Sequence, residues 1–181
     1  MRVGIADHLG WAVAVTASGD HAVVDRRRIE LVEPALSAAP IHYERRRLDV
    51  AATAVLVETV RASIARAALA AFTELASALP EPILSISLRA WPLDFPDDIA
   101  TQRRSPYEAR ADAIMYRQEL AELAHAHGWE VHAYDAKAVE GQAARRLGAR
   151  ADEVLHGPRA KIGPPWTKDH RVALAAAIVA G

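Results

Sequence analysis

The first thirty-two residues constrain the fold of this chain most. Residues 2–7, 11–17 and 21–32 are three strand-like runs, divided only by Asp7-His8-Leu9-Gly10 and Ser18-Gly19-Asp20. Connections this brief leave no room for a crossover, so consecutive runs pair as antiparallel neighbours in a meander. The third run, HAVVDRRRIELV, mixes Val and Ile with charge, the pattern of an exposed edge strand. Asp7 closes the first run, and a carboxylate at a strand end stands on the lip of a sheet, where chemistry is often placed.

Beyond the meander the pattern changes period. After a loop at Pro34–Pro40 and an irregular basic stretch at 41–47, Asp49 is placed to cap a helix running to about Ala78. In that helix Val50, Ala54, Val57, Val60, Ile64, Ala68, Phe72 and Leu75 recur at helical spacing. Pro80 and Pro82 stop it, and residues 82–91 read as a fourth, central strand. A polar loop follows. Ser105-Pro106-Tyr107-Glu108 reads as a capping box opening a helix to about His127, with Gly128 as its stop. Residues 129–135 form a fifth strand, 137–147 a helix ended by Gly148, and 149–156 a short helical piece. The prolines and glycines of GPRAKIGPPW predict a loop, and Thr167 caps a last, Ala-rich helix.

A chain of 181 residues, 51% of them hydrophobic, is large enough for one core, so a single domain over 1–181 is expected. The net charge of -1 provides no global basic field, and any nucleic-acid affinity must come from a local patch. With no cysteine, disulfides, thiolate zinc sites and cysteine nucleophiles are excluded, and a cytoplasmic location is the expectation. The longest apolar stretch, Val172–Ala180, falls far short of the roughly 20 residues of a membrane span. No glycine-rich phosphate loop and no nucleophile-elbow serine is present.

The order β-β-β-α-β-α-β-α implies an α/β fold: a five-stranded mixed sheet flanked by helices, which is the ribonuclease H-like order. VGIADHLGWAVAV resembles the first hairpin of the RuvC-type Holliday-junction resolvases and their YqgF-type relatives, a strand ending in Gly-Ile/Leu-Asp before a glycine turn. VHAYDAKAVEGQAARRLGARADEVLHGPRAKIGPPWTKDHRVALAAAIVAG is similar to their late pattern, ending in an acid-headed helix. The resemblance implies a nucleic-acid-binding protein, a divalent-metal-dependent endonuclease acting on structured DNA or RNA, in which carboxylates hold Mg2+ or Mn2+. Asp7 and Asp169 match its acids, with His170 as a further ligand, and Arg45, Arg46, Arg47, Arg159 and Lys161 are the candidate phosphate contacts. It also implies a homodimer, for which the long Ala-rich helix offers a face.

One departure stands out. The family places a glutamate at the end of the fourth strand, where this chain reads SISLRAW, with Arg89 and no acid. Such a change weakens a site meant to collect dications, leaving Asp94, Asp97, Asp98 or His170 as replacement ligands and a non-catalytic interaction or assembly module as the alternative function. Each site residue also has a plainer role: Asp7 as a turn cap, Asp169 as a favourable anion in a first helical turn, and most arginines as solvated surface. Arg27 alternates with Arg26 and Arg28 and must point to the opposite face of its strand. HAHGWEVH does not make one metal site, because His125 and His127 diverge on a helix.

Overall fold

Alternation in the first strands explains the layering. The computed structural model describes residues 1–181. β1 (Arg2–Asp7), β2 (Trp11–Ala17) and β3 (Val23–Glu30) form the antiparallel meander. β4 (Ser85–Arg89) pairs parallel with β1 and β5 (Glu130–Tyr134) parallel with β4, giving the order β3-β2-β1-β4-β5. The fourth strand is interior and the charged third strand lies on an edge, as its composition predicts.

Each face of the open sheet carries its own core. Val3, Ile5, Ile86 and Leu88 pack toward α2 (Val50–Ala78) and α4 (Glu108–Ala126), around Phe72, Ile64 and Leu120. Ala6, Val13 and Val15 pack toward α5 (Val139–Leu147) and α8 (Lys168–Val179). Small residues on this second face let α8 approach closely: Gly4 lies directly under the Ala173 carbonyl, and the Ser87 hydroxyl donates to Ala176 O at 3.1 Å. No helix is long and apolar enough to cross a membrane.

Two of the predicted helix caps form. The Asp49 side chain accepts from Ala52 N at 2.8 Å, and Thr167 and His170 cap α8 reciprocally. Gly148 ends α5 at φ 58°, a conformation that glycine adopts without penalty.

Four local expectations are corrected. The 41–47 stretch and the Gly157–Trp166 loop contain short helices, α1 (Pro40–Glu44) and α7 (Pro158–Ile162), each with proline in its first turn, where no N–H is missed. The polar loop after β4 includes a third short helix, α3 (Ile99–Gln102), capped by Asp98, and α6 (Ala151–Leu155) fills part of 149–156. The Ser105 capping box does not form. Arg104 O already accepts the N–H groups of Tyr107 and Glu108, and the Glu108 carboxylate turns to Arg45 at 3.2 Å, so α4 starts at Glu108.

Candidate functional site

The parallel strands β1, β4 and β5 end side by side at Asp7, Arg89 and Tyr134. Asp7 is 3% exposed. Its Oδ2 accepts from Arg117 Nε of α4 at 2.8 Å, and its Oδ1 lies 3.9 Å from Arg89 Nε without a hydrogen-bond partner. The carboxylate is therefore not a turn cap; the turn is closed by His8 N donating to Trp11 O at 2.9 Å. Tyr134 completes the lip by donating its hydroxyl to Ile5 O at 2.7 Å. Burial raises that phenol to about 12; the Asp7 charge pushes the same way, and Arg89 opposes it.

Asp169 follows a different course. It sits in the first turn of α8, half-buried, with Oδ2 at 3.2 Å from His8 Nε2. His8 stacks on Trp11 at 4.0 Å, and the Arg28 guanidinium lies 3.9 Å from the Trp11 ring centre. His170 is buried, and its Nδ1 faces Thr167 N at 3.2 Å and Thr167 Oγ1 at 2.8 Å. Burial, and then the nearby Arg26, hold its pKa below the ordinary histidine value.

The structure thus brings arginines to Asp7 and a histidine to Asp169. It does not gather Asp7, Asp169 and His170: no three His, Cys, Asp or Glu side chains form a group able to hold a metal ion. Of the replacement acids, Asp98 caps α3 through Thr101 N at 2.8 Å, while Asp94 and Asp97 are exposed. Mg2+ and Mn2+ take oxygen ligands, Mg2+ through one or two carboxylates that must present an unpaired oxygen. Here one oxygen of Asp7 is taken by Arg117 and the other faces Arg89, so the donor set does not fit a divalent pair.

The basic residues separate into two groups. Arg45 pairs with Glu108 and Arg47 lies 3.8 Å from Glu44, leaving Arg46 exposed in the turn after α1. Lys161 pairs with Glu153 at 3.0 Å and Arg159 is exposed, both on α7 beside the β2–β3 turn. That turn lies at the opposite end of β1 from Asp7, since Arg2 pairs with Ala17 and Asp7 with Ala12. Arg27 does turn away from its neighbours, to Asp25 and Glu74, whereas Arg26 donates to the carbonyls of residues 162–165 and holds the loop before α8.

Sequence reading missed Arg117. Its signal was available: Ile114, Arg117, Ala121 and Ala124 recur at helical spacing, which places one arginine in an apolar stripe. A buried arginine in such a stripe implies a buried anion to meet it.

No protein-family model matches the sequence, and no curated protein is significantly similar to it. Solved structures do match. A T. thermophilus RuvC in complex with Holliday junction substrate aligns at TM-score 0.55 and 13% identity, over 98% of this chain and 90% of that one. A Thermus thermophilus RuvC structure aligns at TM-score 0.51 and 14% identity, over 98% and 91%. The chain has the RuvC fold. The ribonuclease H-like order inferred from the run of strands is therefore the observed one. Within the RuvC fold of this chain, the lip of the sheet carries an aspartate flanked by two arginines.

Proposed function

We propose that this protein is a nucleic-acid-binding member of the RuvC-fold proteins that recognises structured DNA or RNA without cutting it through divalent metals. The observation that carries this reading is the ion pair of Asp7 with Arg117 at 2.8 Å. A catalytic carboxylate must offer its oxygens to cations that leave and return with substrate, whereas this one is neutralised from within the fold. Its buried position makes the pair hard to open, because a lone buried charge is costly. Nucleic acid as partner is supported by the near full-length likeness to a RuvC whose structure contains Holliday junction substrate.

The metal-nuclease reading, with Asp7, Asp169 and His170 as ligands, requires Asp7 to release Arg117. The two readings separate in one experiment, in which the wild type and Asp7→Asn are incubated with branched DNA, linear DNA and RNA in Mg2+ and in Mn2+. We expect retention of the branched substrate in a mobility-shift assay and no cleavage by either protein. Cleavage by the wild type that Asp7→Asn abolishes establishes the nuclease instead.

A further inference from the structure

Two arginines face one buried carboxylate at the lip of the sheet, and they are not equally committed. Asp7 is that carboxylate, facing the guanidiniums of Arg117 and Arg89. The Arg117 side chain is 10% exposed and bonded directly to Asp7 Oδ2, so its charge is spent inside the fold. The Arg89 side chain is 36% exposed; its Nε is buried, 3.9 Å from Asp7 Oδ1 and without a hydrogen-bond partner, so the exposure lies in the rest of the side chain. It ends the interior parallel strand, and ligands of open α/β sheets bind beyond the carboxyl ends of such strands.

We infer that Arg89 is a phosphate-contact residue, whose guanidinium takes a backbone phosphodiester of the bound nucleic acid at the lip of the sheet. This rests on the nucleic-acid reading above and specifies its chemistry. A planar guanidinium presents parallel N–H groups that match two phosphate oxygens, and because Arg117 already neutralises Asp7, the exposed part of the Arg89 guanidinium is left for a ligand. DNA and RNA share the phosphodiester, and the contact alone does not distinguish them.

The test is fluorescence anisotropy in EDTA, with a four-way DNA junction and its RNA counterpart, for the wild type, Arg89→Gln and Arg89→Lys. We expect metal-free binding by the wild type, affinity about tenfold lower for Arg89→Gln, and a log-log salt slope reduced by about one. Arg89→Lys keeps the slope but not the full affinity, because an ammonium lacks the paired donors; it carries the test if Arg89→Gln melts at a lower temperature. Whichever junction shows the Arg89 dependence is the source of the phosphate. Equal affinity and slope for wild type and variants overturns the inference and leaves the nucleic-acid reading standing. Failure of the wild type to bind either junction overturns both.

Discussion

Asp7 and Arg117 are residues that each make sense only with the other. A buried carboxylate and a buried guanidinium 2.8 Å apart satisfy one another, and removing either partner strands a charge in the interior. Arg117→Gln is expected to destabilise the fold by about 3–5 kcal/mol in urea denaturation. Adding Asp7→Asn recovers part of that loss, so the double variant is less damaged than the two single effects combined. Additive effects would show that the pair is not coupled. A second buried acid, Asp112, accepts from Ile41 N and His42 N at 2.9 Å and so ties α4 to the start of α1. Burial lifts its carboxyl to about 6, against these donors, which favour the charged form. Its unfolded value is about 3.9, so the native state holds the proton more readily. Its contribution to stability is therefore full below about pH 4 and lost as pH rises to about 6, a change of about 3 kcal/mol. Denaturation curves across that range should flatten in Asp112→Asn relative to wild type; an unchanged pH profile argues against a buried, titrating Asp112.

At the scale of elements, the strands and long helices were legible because their periodicity is strong and their ends carry chemical punctuation. Residues 11–17 coincide with β2, and Asp49 marks the start of α2. The short helices α1 and α7 were not legible, since a single turn opened by proline carries no periodicity to detect. The Ser105-Pro106-Tyr107-Glu108 motif misled because tertiary contact redirected its glutamate to Arg45, a residue far away in sequence. The packing of α8 on β1 makes a prediction at this scale. A Cβ on Gly4 would overlap the Ala173 carbonyl backbone, and neither strand nor helix yields easily there. Gly4→Ala is expected to cost about 3 kcal/mol and lower the melting temperature, whereas an unaffected melting temperature would show that α8 shifts freely on the sheet.

For the whole molecule, the order of elements prescribed the sheet, and the sheet set the lip on which Asp7, Arg89 and Tyr134 stand together. Asp7 was legible as a residue of interest because it ends the first strand. Arg117 was legible as a lone arginine in an apolar stripe but not as the partner of Asp7, because the two are distant in the chain and only folding brings α4 against β1. The missing acid of the fourth strand and the arginine in its place were visible in the sequence, but their meaning needed the geometry: Arg89 faces the carboxylate that an acid at its position would have joined as a fellow ligand. Arginines face both oxygens of Asp7, where a divalent cation would otherwise bind. The most direct measurement is a Mn2+ titration of the folded protein followed by electron paramagnetic resonance, comparing wild type with Asp7→Asn. With Asp7 paired to arginine, only weak, unsaturable Mn2+ association is expected, the same in both proteins. A saturable wild-type site that Asp7→Asn abolishes would contradict it.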